Sequence, residues 1–432
     1  MKEFLVGLKK EKITPELGVP LAGYPNQRPA EKVLDDLYVS SLVIRQDEKT
    51  FVWISADLCT LGGFIVDPLR EKLYNEFKIA PDNVIVSATH THSGPLTFTS
   101  AGWGEADTDY LNNVFIPKAV EATKKALEDL KPAVMGVGIG KSYAGVNRRE
   151  MAGGEVILGQ NPDGPYDPQL TVLSFKTTDG KNIGSFVHLA IHATACGPSP
   201  SITRDWPGVM VSRIEEITNA PCMFVNGAIG DVGPRLSNGK TIANDELMLE
   251  VGKIAADDAE KTYAAISEYK VPELKVLSDD MFLPCQEAPS LETVLADIEA
   301  MGNPDDLIEV DVKKYAYLQD IKKMHENGEE FKKGITHRAT TVAFDDFAFI
   351  AIPFEFFCNI SLSIRENSPF KNTVTAGLSN GSICYLPTED QIPYGGYEVE
   401  SFRSTVIPCL INGLDKHLAT ECVKLLNKLK NK

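Results

Sequence analysis

The sequence predicts a mixed α/β (α+β) fold, with mixed β-sheets flanked by helices. Short apolar runs bounded by turn residues recur along its length, and stretches with apolar residues at helical spacing lie between several of them. Strand and helix alternate, which is the pattern of sheets covered by helices rather than of an all-α or all-β protein. A hydrophobic fraction of 43% with 24% charged residues is ordinary globular composition and removes disordered, collagen-like and coiled-coil readings.

Taken in chain order, strands are expected at residues 38–44, 50–54, 84–88, 134–137, 170–175, 185–191, 222–225, 347–352 and 374–377. Helices are expected at 67–77, 110–130, 208–218 and 244–268, each with one polar face. Residues 290–333 differ: dense charge with apolar residues at helical spacing predicts a helical insertion, read as a solvated pair of helices covering one edge of the core. Leu414, Leu418, Cys422, Leu425 and Leu429 fall on one face of a final docking helix. The length allows one large or two ordinary domains. With no internal repeat or low-complexity tract, one continuous catalytic-type domain over residues 1–432 with that insertion is expected.

Charge narrows the partners. A net charge of −17 repels phosphate backbones and anionic lipid, so neither nucleic-acid binding nor stable membrane association is expected. The N-terminal apolar run Phe4-Leu5-Val6-Gly7-Leu8 is shorter than the roughly 7 to 15 residues of a secretory core, and no stretch approaches the roughly 20 of a membrane span. A cytoplasmic location follows as the expectation. Eight scattered cysteines without a CxxC pair read as reduced, mostly buried thiols.

Histidine is scarce, seven in all, yet His90 and His92 stand together and His188 and His192 form a second cluster. Period-2 alternation from the strand at 84–88 is expected to project both rings of the first pair to one side, a common arrangement of zinc ligands. In the second cluster His192, beside Ala193-Thr194, is the better ligand candidate and His188 reads as a core histidine. Glu355 lies between Phe354 and Phe356-Phe357, and a carboxylate in so apolar a setting needs a partner, either a metal ion or a basic side chain. Gly377-Leu378-Ser379-Asn380-Gly381 matches GxSxG, but the residues after it do not read as the helix a nucleophile elbow requires. Zincin, dinucleotide and Walker A motifs are missing from the sequence.

Segments in order along the chain carry a resemblance: Lys12-Ile13-Thr14-Pro15, Leu21-Ala22-Gly23-Tyr24, Ala88-Thr89-His90-Thr91-His92-Ser93-Gly94-Pro95, Val146-Asn147-Arg148, Ile191-His192-Ala193-Thr194, Gly230-Asp231-Val232-Gly233-Pro234, Pro353-Phe354-Glu355-Phe356 and Gly377-Leu378-Ser379-Asn380, leading to Tyr385 and Tyr397. Together they resemble the neutral ceramidases, metal-dependent amidases of non-lysosomal type. The resemblance implies one Zn2+ per chain, or another divalent ion in its place, held by His90, His192, Glu355 and Tyr385. It implies catalytic roles around the reacting carbonyl for His92, Arg148 and Tyr397: proton transfer for the imidazole, hydrogen bonds to the developing oxyanion for the other two. Arg149 competes with Arg148 for its place, and Asp57 and Asp231 are candidates to orient the histidines from behind.

Two departures bear on the substrate. Gly233 stands where the family carries a serine with an assigned catalytic role, so an acyl-enzyme route is unsupported, whereas metal-activated water needs no such serine. The resemblance covers the catalytic part only, and the family's β-rich C-terminal domain is expected to be absent. The expected activity is therefore zinc-dependent hydrolysis of an amide in a small-molecule N-acyl compound smaller or more polar than ceramide. The alternatives are metal-dependent hydrolysis of an ester, lactam or cyclic amide, and a non-catalytic metal- or ligand-binding homologue. Residues 97–108, including Trp103, and residues 394–397 are expected to shape the pocket mouth.

Overall fold

A computed structural model describes residues 3–25 and 28–432. Its larger sheet has eight strands in the order Cys222–Asn226, Asn182–Leu189, Gln169–Thr177, Lys131–Lys141, Phe4–Lys12, Tyr38–Gln46, Lys49–Ala56 and Val84–Ala88. The central pairs are antiparallel, and the outermost pair at each edge is parallel. Parallel neighbours require a crossover, and each edge has one: helix Gly63–Phe77 on one side and helix Trp206–Thr218 on the other. Both edges thus present strand C-termini at the same end as their partners, where α/β sheets place their ligands.

A second sheet runs Leu274–Pro284, Gly334–Phe344, Phe347–Ala351, Asn372–Ala376. Period-2 alternation divides its residues between two cores. Phe347, Phe349 and Ala351 face the large sheet and pack with Phe4, Trp53 and Phe186, whereas Ala348 and Ile350 join the outer core containing residues of helices Cys358–Glu366 and Leu414–Lys430. Trp53, Phe186 and Phe349 form an edge-to-face cluster with centroids 5.0 to 5.2 Å apart. Burying each such side chain contributes about 1.5–3 kcal/mol, which is what joins the two sheets. Helices Gly63–Phe77, Ile116–Glu128, Trp206–Thr218 and Asp245–Ala264 cover the other face of the large sheet, completing a helix–sheet–sheet–helix arrangement.

The expected elements are present with shifted ends. Asn244 caps Asp245–Ala264 by accepting from Leu247 N–H, and Leu414, Leu418, Cys422, Leu425 and Leu429 are all buried on the final helix. The segment expected as one helix at 110–130 instead opens with a π turn, Leu111–Phe115, before the helix Ile116–Glu128. Strands Phe4–Lys12, Leu274–Pro284 and Gly334–Phe344 were not expected. The first is masked by Lys9 and Lys10, whose ammonium groups pair with Asp129 at 2.7 Å and Glu215 at 2.6 Å. The GxSxG segment forms no elbow. Ser379 is fully buried, bonds Ser87 Oγ at 2.7 Å and ties the second sheet to the strand Val84–Ala88.

The charged stretch supplies helices Leu291–Ala300 and Val310–Asn327, which form the connection between the antiparallel partners Leu274–Pro284 and Gly334–Phe344. A small core of Val294, Leu318 and Ile321 holds the pair together.

Candidate metal centre

His90 follows one edge strand of the large sheet and His192 the strand next to the opposite edge, and their ring centroids lie 4.8 Å apart. The strand Val84–Ala88 ends before His90, which adopts a left-handed backbone with φ of 68°. Strand alternation therefore does not aim the His90 and His92 rings. A turn does, and a non-glycine residue in that region carries about 1–3 kcal/mol of strain. His90 N–H is held by Leu58 O at 2.9 Å, and its Nδ1 lies 2.8 Å from Cys59 O. His192 follows Asn182–Leu189, with Nδ1 2.7 Å from Ile229 O and 3.1 Å from Val232 O. Carbonyls only accept, so both Nδ1 atoms carry a proton and both Nε2 atoms face the centre. The fully buried Asn226 links the two loops by donating to Thr89 O and Ile191 O.

Glu355 and Tyr385 come from the other side of the centre. They are direct partners in the short parallel ladder Glu355–Phe356 with Tyr385–Leu386, which sets both side chains at one level. Glu355 Oε2 lies 3.2 Å from His90 Nε2 and 3.1 Å from His192 Nε2, and the Tyr385 oxygen lies 3.1 Å from His192 Nε2. Burial pushes the Glu355 carboxyl up, but the two imidazoles outweigh it and hold it well below its usual range. Burial pushes His90 down, and Glu355 with Cys59 reverses that to a net rise, while His192 is driven down to about 3 by burial and then by Arg148.

This donor set fits a divalent ion. Two imidazole Nε2 atoms, a carboxylate and a phenol oxygen converge, and the Nδ1–H to carbonyl bonds are the outer contacts that metal-binding histidines make. His90, His192 and Glu355 place donor atoms within 4.8 Å of one another. Carbonyl oxygens, not carboxylates, orient the rings: Asp57 accepts from Tyr38 N–H, and Asp231 accepts from Cys358 N–H and Asn147 Nδ2. The expected orienting role of those two aspartates is thereby corrected.

His92 Nε2 lies 3.2 Å from His90 Nε2. Burial, then His90 and His192, push it well below its usual value, so the ring is neutral. Gly23 is required beside it, because a Cβ there would come within 2.2 Å of the ring. Arg148 Nη2 donates to the Tyr385 oxygen at 3.2 Å and its Nε to Glu398 at 2.8 Å, whereas Arg149 pairs with Glu398 and Gly395 O. Of the two arginines, Arg148 is the one at the centre, and it reaches it through the phenol. Tyr397 stands edge-on to Tyr385 with centroids 5.6 Å apart.

Above the centre opens a cavity of about 610 Å³ with His90, His92, Glu355, Tyr385 and Tyr397 on its surface. Phe98 and Trp103 from the loop expected at the mouth contribute apolar wall. Val310 and Lys313 also line it, so the charged helices, expected as an edge cover, form part of the cavity. Sequence reasoning missed Glu398 and Lys313, whose roles arise only from tertiary neighbours.

The family model for the N-terminal part of neutral/alkaline non-lysosomal ceramidases matches residues 4–341. The chain belongs to this family. Glu355, Tyr385 and Tyr397 lie past the matched residues, so their place rests on the geometry above and on the fold. Among ceramidase relatives, the chain is 27% identical over 163 residues to neutral ceramidase B of Dictyostelium discoideum, which is 33% of this chain and 21% of that protein. It is 25% identical over 223 residues to the neutral ceramidase of Oryza sativa subsp. japonica, 46% of this chain and 27% of that protein. The aligned stretches thus span about a quarter or less of those relatives. The solved neutral ceramidase of Pseudomonas aeruginosa superposes with a TM-score of 0.76 at 19% identity, covering 100% of this chain and 75% of the other. A ceramidase complexed with C2 gives 0.76 at 18% identity, covering 100% and 76%. At such identities the likeness establishes the ceramidase fold. Among the described residues no helix is long and apolar enough to cross a membrane.

Proposed function

We propose that the chain is a zinc-dependent amide hydrolase acting on an N-acyl compound smaller or more polar than ceramide. The observation that carries this reading is the convergence of two imidazole Nε2 atoms, the Glu355 carboxylate and the Tyr385 oxygen at the floor of a cavity. A divalent ion held by His90, His192, Glu355 and Tyr385 supplies Lewis acidity, polarising the amide carbonyl and lowering the pKa of water towards about 7.

The protein's own groups do the rest. His92, neutral and beside His90, accepts the proton of the attacking water and delivers it to the leaving amine. Tyr397 is kept protonated, since burial and then Glu355 push its phenol up, and it donates to the developing oxyanion. Arg148 supports the same charge from behind, through its bond to the Tyr385 oxygen, and Glu398 fixes that guanidinium. A cavity of this volume suits a compact ligand. A cytoplasmic setting belongs to the same reading, supported by eight cysteines that are all free thiols.

The test is metal analysis of purified protein beside His90→Ala and Glu355→Ala, followed by assay on short N-acyl amines, ceramide, esters and cyclic amides. One zinc per chain, lost in both variants together with amide cleavage, is the expected result. Protein that takes up no zinc, or that cleaves only esters or cyclic amides, overturns it.

A further inference from the structure

The cavity wall carries one charge that the centre does not use. Among the described residues lining it, the histidine, lysine, arginine and carboxylate side chains are His90, His92, Glu355 and Lys313, and the first three belong to the histidine–carboxylate cluster. Lys313 stands on helix Val310–Asn327 and donates from Nζ to Ser401 Oγ at 3.0 Å. No carboxylate of the described residues forms an ion pair with it. A half-buried ammonium with no ion-pair partner is costly, and burial pulls it below its usual value against a weaker opposing influence of Cys384 and Glu355.

Its position relative to the reacting atoms is fixed by its partner. Ser401 follows Tyr397 by four residues on helix Tyr397–Arg403, so it lies one turn away on the same face, with Cβ atoms about 5–6 Å apart. Lys313 therefore reaches into the cavity a single helical turn from the phenol assigned to the oxyanion. The same cavity wall carries the apolar side chains Phe98, Trp103, Val310 and Ile383. Ceramide, which bears no anionic group, leaves this ammonium unpaired. A carboxylate close to the scissile amide, with a short acyl chain on the apolar wall, satisfies both features.

We propose that Lys313 is a specificity residue for an anionic substrate, so that the N-acyl compound is an N-acyl amino acid whose carboxylate pairs with the Lys313 ammonium. This rests on the amidase reading and narrows its substrate class.

The test is calorimetric binding of a matched pair, N-hexanoylglycine and N-hexanoylglycinamide, to the purified full chain, with hydrolysis of both followed in parallel. The acid is expected to bind about ten- to a hundredfold more tightly, the range of a charge-assisted hydrogen bond. That ratio should fall to near one in Lys313→Met and return in Lys313→Arg, both checked for an unchanged melting temperature. Equal affinities in the wild type, no binding of the acid, or a preference that survives in Lys313→Met overturns the assignment. The hydrolysis arm speaks to the other reading: a Lys313-dependent preference without cleavage of either compound sinks the amidase and leaves the carboxylate site standing.

Discussion

His192 and Tyr385 lie in nearly parallel planes, with ring centroids 6.2 Å apart, an interplanar angle of 3° and 3.1 Å between His192 Nε2 and the Tyr385 oxygen. One ring follows the strand Asn182–Leu189, next to the edge of the large sheet, and the other stands beside Glu355 on the short ladder Glu355–Phe356 with Tyr385–Leu386. Tyr385→Phe keeps the ring packing and removes only the oxygen. Zinc retention during dialysis is expected to weaken by at least the about 10–100-fold seen when groups supporting a metal ligand are removed, with amide hydrolysis falling in step. Unchanged zinc content in the phenylalanine variant would exclude the phenol as a ligand.

Glu398 is buried between two guanidinium groups, 2.8 Å from Arg148 Nε and 2.7 Å from Arg149 Nη1, with its side chain 1% exposed. Glu398→Ala leaves both cations without a counter-charge. Urea unfolding is expected to show a loss of about 3–5 kcal/mol, and Glu398→Gln a smaller one because the amide oxygen still accepts. A loss below about 1 kcal/mol in the alanine variant would mean that solvent or another group satisfies the arginines.

His188 is the core histidine. Its Nε2–H donates to Thr375 O at 3.1 Å, and burial lowers its pKa to about 4. A histidine with a depressed folded pKa is most stabilising above its unfolded value of about 6.5, and that stability is lost as pH falls from there towards 4. Between pH 7 and pH 5 this one group should cost about 2 kcal/mol. His188→Gln keeps a donor and cannot titrate, so its denaturant midpoint should change less between those two pH values than the wild type's. Parallel behaviour of the two proteins would show that other groups set the acid limit.

Gly233 pairs with Val146, and a Cβ built on it would meet the Arg148 stem at 3.3 and 3.7 Å. The nearer atom is Arg148 Cβ, which moves only with its strand, so Gly233→Ser should cost about 1–3 kcal/mol of stability. Amide hydrolysis should change by less than about tenfold, which corresponds to 1.4 kcal/mol in the barrier. Activity that appears only in the serine variant would point to a serine nucleophile and away from hydrolysis by water.

Part of this arrangement is written in the sequence. Scarce histidines gathered at strand ends announce a site, and a carboxylate among Phe354, Phe356 and Phe357 announces a partner. The left-handed turn at His90 is invisible because any residue type can be forced into it by its surroundings. Tyr385 was reached through resemblance alone, since a tyrosine on a short strand has the same local pattern whether it packs or ligates. Glu398 and Lys313 are two charges among 60 acidic and 43 basic residues, and only the neighbours brought by distant segments distinguish them. The strand Gly334–Phe344 was missed because its outer half, with His337 and Arg338, is polar where it leaves the core. Periodicity reports burial, so strand ends that carry surface charge fall outside its reach.

Pro284 and Gly334 face each other across the ladder, so the chain leaves and re-enters the second sheet at one spot around the two charged helices. Such a joint is a hinge point for divergence. Because closure entropy grows only with the logarithm of loop length, that connection can lengthen, shorten or be exchanged at a cost of about 0.6 kcal/mol per doubling, with the strands beneath untouched. Rewriting that one excursion of the chain would reshape the cavity wall at Val310 and Lys313 while leaving His90, His192, Glu355 and Tyr385 on their own strands and turns.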